Sequence, residues 1–278
     1  LPGRPCDGKI RIDAQIDGQI DAQMRLMQRL EPPLLGLILA GGNSSRMGQD
    51  KALLVHNGTP LLRHIYNCAA EICRTVYVIT PRQHRYAPLL PPTCEFIVEV
   101  GQNQGPLRAF REAIVWLGEQ SLEPKGLDHQ QLANPLDPQR LAHDDAGWIL
   151  LLSCDLPHLN PMVLQQWVQD FIGSAPLNSP RESCPPLAYI PRNPQGWWEP
   201  LCGFYSIQCR SSLDRFLGEG GRSFQQWLNS ERVVALPLED HQVLLNWNTL
   251  KEAVQGSSSP ISSNLDSPPT EYQFKKLL

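Results

Sequence analysis

An open, mostly parallel α/β sheet with helices on both faces is the fold class that this 278-residue sequence predicts. Three observations lead to it. Short apolar runs with little alternation (GLILAGG, TVYVIT, WILLLS) are what strands need when a sheet is covered on both faces. Segments with helical apolar spacing separate these runs, as crossovers between parallel strands require. The first run ends in a glycine pair followed by Arg46 and Lys51, so backbone freedom and positive charge appear where such sheets place their ligands.

The elements follow in order. After GLILAGG, Thr59 reads as an N-cap and Pro60 as the first helical residue, with Leu61, Leu62, Ile65 and Ala69 on the apolar face. TVYVIT is a β-branched strand, and Glu95 to Val98 is a shorter one. A helix is expected from about Gly105 to Leu117, then the fully apolar strand WILLLS, then a helix from the N-cap Asn160 to about Phe171. The segment EPLCGFYSI, a helix near Gln208 to Leu217, the turn GEGGRS with a helix after it, strand ERVVAL and the closing segment VLLNWNTLKEA complete the layers. Right-handed crossovers restrict the topology.

Two long polar stretches interrupt this order. Gly118 to Gly147 is broken by prolines and reads as an insertion, and Ser174 to Pro186 reads as a proline-rich loop. At the start, the repeat IDAQ-IDGQ-IDAQ (Ile12 to Gln23) would align its isoleucines on a helix, but three turns interrupted by Gly18 are marginal alone. Residues 1–33 are therefore expected to be a disordered extension, 34–255 one folded domain, and 256–278, rich in Ser and Pro, a solvated tail.

Composition excludes several classes. With 41% apolar and 19% charged residues the chain can bury a sizeable core. A formal charge of −4 without a basic tract gives no footprint for nucleic acid, so any anion site is local. No apolar stretch approaches the roughly 18 residues that span a bilayer. The 8 cysteines contain no Cys-x-x-Cys spacing, and the apolar segment of a secretory leader is missing from the extension, where Asp13, Asp17 and Asp21 fall. Reduced thiols in the cytoplasm are expected.

The glycine loop fits neither familiar phosphate fingerprint. A P-loop needs Lys directly after its last glycine, whereas Gly48 is followed by Gln49 and Asp50. The dinucleotide pattern Gly-x-Gly-x-x-Gly is absent from Gly41-Gly42-Asn43-Ser44. What remains is a strand end where small residues let backbone approach an anion or a flat base, with Arg46 and Lys51 as cationic donors. A tight turn with solvated Arg and Lys is the plainer reading of the glycines alone.

The whole string Leu39-Ala40-Gly41-Gly42-x-Ser44-x-Arg46-Met47-Gly48-x-Asp50-Lys51 resembles the signature of nucleotidyltransferases that handle the molybdenum cofactor. Gly105-Pro106-Leu107, Cys154-Asp155-Leu156-Pro157, Glu199-Pro200-Leu201, Gly220-Gly221-Arg222-Ser223 and Asn246-Trp247-Asn248-Thr249 follow in the order expected for the guanylyltransferases of that family. The resemblance covers roughly 34–252. It implies a Rossmann-like nucleotidyltransferase fold, transfer of GMP from GTP to the terminal phosphate of molybdopterin, a magnesium ion (Mg2+) and release of pyrophosphate.

That reaction needs no covalent nucleophile, because the pterin phosphate supplies the attacking oxygen; positioning and charge neutralisation carry it. The resemblance implies GTP contacts from Leu39, Ala40, Gly41, Gly42, Lys51, Thr80, Glu99, Gly105 and Asp155. Catalytic roles fall to Arg46, Lys51 and Asp155, with Asp155 also the metal ligand, since magnesium accepts one or two carboxylates plus phosphate oxygens and water. Arg222, Asn246 and Asn248 are expected at molybdopterin, whose ring edge suits amides. Thr80 stands where relatives often carry Asn, Glu99 where Asp is commoner, and Arg108 where a small residue is usual. Cys154 and Cys202 read as packed neighbours, and the histidines show no ligand spacing. A cytidylyltransferase on the same cofactor, a sugar-phosphate nucleotidyltransferase and a noncatalytic nucleotide-binding module are the competing readings. The resemblance gives GTP and molybdopterin as partners, with transient contacts to proteins that deliver or accept the cofactor.

Overall fold

The computed structural model describes residues 34–41, 50–99, 105–120, 147–174 and 186–247, with the side chains of 120 and 171–174 excepted. The expected extension, most of the glycine loop including Gly42 and Arg46, the insertion, and Asn248 with the tail lie outside these residues.

In chain order the strands are β1 (Leu35–Leu39), β2 (Val55–His56), β3 (Thr59–Pro60), β4 (Thr75–Thr80), β5 (Glu95–Val98), β6 (Trp148–Ser153), β7 (Ala188–Pro191), β8 (Cys202–Ser206) and β9 (Val233–Leu236). The helices are α1 (Leu61–Ala70), α2 (Gln83–Tyr86), α3 (Pro106–Gln120), α4 (Pro161–Ser174), α5 (Cys209–Gly218) and α6 (Phe224–Asn229). Seven strands form one sheet in the order β5-β4-β1-β6-β8-β7-β9. β5, β4, β1 and β6 are mutually parallel, β8 runs against both β6 and β7, and β7 pairs parallel with β9. The mostly parallel open sheet is as expected.

Both faces are covered, which is why the strand sequences are apolar at nearly every position. Ile38, Val78, Leu150, Leu152 and Phe204 point to one side, under α1 and α4 through Leu62, Ile65, Leu164 and Trp167. Leu37, Ile79, Ile149, Leu151 and Tyr205 point to the other, under α3, α5 and α6 through Phe110, Leu213 and Trp227. Asn160 caps α4 as predicted, its Oδ1 accepting the Val163 N–H at 3.1 Å.

Two local expectations fail. Thr59 is not the cap of α1: Thr59 and Pro60 pair with His56 and Val55, and α1 starts at Leu61, whose N–H donates to Leu54 O at 2.8 Å. The cause is the Asn57-Gly58 turn, with φ of 49° and 78°, the backbone that a tight hairpin demands. β7 was not expected either. Its four residues follow Pro185-Pro186 closely and end on Pro191, punctuation that masks a short buried strand.

Candidate active site

The C-terminal ends of β1, β4, β5 and β6 rise on one edge of the sheet. Because β8 is reversed, its entering residue reaches the same edge, where Leu201 O accepts the Ser153 N–H at 2.8 Å. A cavity of about 450 Å³ opens there. Leu39, Ala40 and Gly41 form one wall at the end of β1, and Ser153, Cys154 and Asp155 form another beyond β6. Glu99 follows β5, while Gly105, at φ 84°, turns the chain into α3 and also lines the space. Asn246 closes it from the C-terminal segment.

The cavity's charge centres on Lys51 and Asp155, joined at 2.8 Å between Nζ and Oδ2 with side chains 22% and 15% exposed. Lys51 begins a 3-10 turn (Lys51–Leu53) capped by Asp50, whose Oδ1 accepts the Ala52 N–H at 3.2 Å. Asp50 is more deeply engaged than the sequence suggested. The Tyr86 hydroxyl lies 2.9 and 2.8 Å from its two oxygens, and the Arg82 and Arg85 guanidiniums lie 3.3 and 3.4 Å from Oδ2. Burial, and then the bond to Asp50, push the Tyr86 phenol well above its ordinary range, so it stays a donor. Asp50 and Tyr86 both line the cavity, and sequence reasoning assigned neither a role.

Glu99 packs close to Gly41: a Cβ on that glycine would meet Glu99 Oε2 at 2.6 Å. Burial, followed by the Glu112 carboxylate, raises the Glu99 carboxyl above its ordinary value. Ala40 offers less than expected, because its N–H already donates to Ile79 O at 3.0 Å. Its amide is therefore already committed within the sheet. Burial pushes the Cys154 thiol far up, with Asp155 and Asp50 adding to the shift, so a thiolate is unfavourable at this position.

Lys51, Asp155, Leu39, Ala40, Gly41, Glu99, Gly105 and Asn246 thus meet in one cavity. Thr80 and Arg222 do not line it. Thr80 is fully buried, and its hydroxyl accepts the Arg82 N–H at 3.0 Å. Arg222 is exposed on the turn before α6, where Ser223 provides the N-cap. Asn246 is held through its neighbour: the Trp247 N–H donates to Asp155 O at 3.2 Å, while the Trp247 ring meets His56 edge-on with centroids 5.0 Å apart. The described histidines are packed or exposed. His64 bonds Leu159 O at 2.7 Å and His158 is exposed. Among the described residues no group of three His, Cys, Asp or Glu side chains could hold a metal. A divalent ion here would rest on Asp155 with the ligand's own oxygens.

The MobA-like NTP transferase domain matches residues 36–233. A protein of Trichormus variabilis described as a probable molybdenum cofactor guanylyltransferase is 40% identical over 233 residues, covering 83% of this chain and 95% of that protein. A similarly described protein of Synechococcus elongatus is 40% identical over 215 residues, or 77% and 92% of the two chains. Among solved structures, molybdopterin-guanine dinucleotide biosynthesis protein A from Archaeoglobus fulgidus superposes with a TM-score of 0.54 at 18% identity, covering 80% and 96%, which supports the fold alone. Sheet order, cavity position and these matches agree, and the chain belongs to the MobA-like NTP transferase family.

Proposed function

We propose that the chain transfers GMP from GTP to the terminal phosphate of molybdopterin, forming the guanine dinucleotide form of the cofactor. An oxygen of the pterin phosphate forms a bond to the α-phosphorus, the bond from that phosphorus to the bridging oxygen breaks, and pyrophosphate leaves. The observation that carries this reading is the Lys51–Asp155 pair in a cavity walled by the backbone of Leu39 to Gly41. The relatives described as probable molybdenum cofactor guanylyltransferases supply the substrate class.

Each residue then has a task. Lys51 exchanges Asp155 for phosphate oxygens and, with Arg46, offsets the charge that accumulates as pyrophosphate departs. Glu99 accepts from the donor edge of guanine, and the Ala40 carbonyl adds a second acceptor. Gly41, Gly42 and Gly105 keep the approach open, and Asn246, with Asn248 and Arg222, belongs to the pterin side. The donor chemistry of Asp155, a hard carboxylate at the rim of a phosphate site, fits magnesium, which when bound supplies positive charge to the phosphate oxygens. Thr80 serves through the backbone of Arg82. The buried free cysteines Cys68, Cys73 and Cys202 suit a reducing compartment and support the cytoplasm as the location. No helix among the described residues is long and apolar enough to cross a membrane.

The test supplies purified protein with molybdopterin, magnesium and either GTP or CTP, and reads pyrophosphate. GTP should be preferred. Equal or better use of CTP reassigns the base, and pyrophosphate release with a sugar phosphate in place of molybdopterin reassigns the acceptor.

A further inference from the structure

A carboxylate that faces a polyphosphate cavity has to be neutralised or it repels the ligand. Asp50 lines the cavity beside Lys51, its side chain is 9% exposed, and donors from two separate segments converge on it. Capping explains only one of them, the Ala52 N–H. The others, from Tyr86, Arg82 and Arg85, come from the stretch that follows β4, more than thirty residues later in sequence. That stretch is itself fixed at its start by the Thr80 hydroxyl, which accepts the Arg82 N–H.

We propose that Asp50, held by Tyr86, Arg82 and Arg85, is a positioning residue that anchors the turn carrying Lys51, and so sets where the Lys51 ammonium, paired with Asp155, meets phosphate. The two guanidiniums balance the Asp50 charge, so the acid can sit at the cavity without opposing an anionic ligand. The phenol lies against both carboxylate oxygens and the Ala52 N–H donates to Oδ1, which fixes the backbone that carries the lysine. Thr80 contributes through Arg82, away from the nucleotide. This inference rests on the reading of Lys51 as a phosphate ligand.

The test uses the full chain with Asp50→Asn, Tyr86→Phe and Arg82→Gln, each alone and combined with Lys51→Ala. Binding of inorganic tripolyphosphate is measured by calorimetry, GTP turnover as separate kcat and KM, and folding by melting temperature. In the wild-type background, Asp50→Asn and Tyr86→Phe should each weaken tripolyphosphate binding roughly tenfold, the scale of a lost hydrogen bond to a charged group. kcat/KM for GTP should fall at least as far. With Lys51→Ala already present, the same changes should add less than about twofold, because groups acting through one another are not additive. Wild-type behaviour of both variants, or an undiminished effect in the Lys51→Ala background, overturns the proposal. If Asp50→Asn does not fold, Tyr86→Phe and Arg82→Gln carry the decision. Tripolyphosphate binding that depends on Lys51, without GTP turnover by the wild type, would sink the proposed substrate and leave the role of Asp50 readable; absence of such binding sinks both.

Discussion

Replacing Gly41 with alanine isolates the nucleotide wall of the cavity. The new Cβ would lie 2.6 Å from Glu99 Oε2 and 3.1 Å from Pro81 Cδ, against 3.4 Å where ordinary contact begins. The proline ring is fixed, so the carboxylate must retreat by most of an ångström. Glu99 ends in a rotatable group, and Gly41 does not occupy the left-handed region, so the fold should lose less than about 1 kcal/mol. The cost falls on the ligand. A displaced carboxylate forfeits a charged hydrogen bond to the base, worth about 1.5–3 kcal/mol, which is roughly a 10- to 100-fold loss in kcat/KM for GTP. Steady-state kinetics and calorimetric melting read the two effects separately. Shortening the acid should restore the space, so Gly41→Ala with Glu99→Asp should recover much of the loss. Wild-type kinetics for Gly41→Ala, or no recovery in the double variant with the fold intact, would refute the placement of Glu99 at the base.

Asp155→Asn keeps the side chain's size but removes the charge that faces Lys51. Turnover in saturating magnesium should fall by roughly 100-fold or more, while the partly exposed ion pair contributes about 1 kcal/mol or less to stability; near wild-type turnover with normal circular dichroism would make Asp155 structural. Buried His56 is depressed below its ordinary value of 6.5, first by burial and then by His158 and His64, and its Nδ1 has no partner. The folded state therefore binds fewer protons than the unfolded one as pH falls below 6.5, so stability is full above that value and is lost progressively beneath it. Melting temperature scanned from about pH 8 to 5 should drop more for the wild type than for His56→Phe, and parallel curves would exclude His56 as a source.

What could be read from the sequence was whatever lies close along the chain. GLIL, TVYVIT and WILLLS announced themselves because burial on both faces leaves few polar positions, and Asp155 was conspicuous because it follows the last of them. Thr59 misled because its capping signal competes with the Asn57-Gly58 turn two residues earlier, and the turn wins by pairing Thr59 into a ribbon. β7 hid between prolines. Asp50 sat in the quoted string, but its role depends on Tyr86, Arg82 and Arg85, which reach it only once β4 has paired beside β1. Arg222 was picked out by its place in a series of motifs, and the turn that carries it is not part of the cavity lining.

The bond from Trp247 to Asp155 has a bearing on timing. A ribosome delivers Lys51 and Asp155 long before it delivers residue 247, and domains acquire structure as they emerge. Until the closing segment arrives, the loop after β6 lacks the donor that holds the Asp155 carbonyl, and the cavity lacks its Asn246 wall. The site is therefore assembled in two stages: its charges are laid down first, and the cavity is sealed last, by the closing segment.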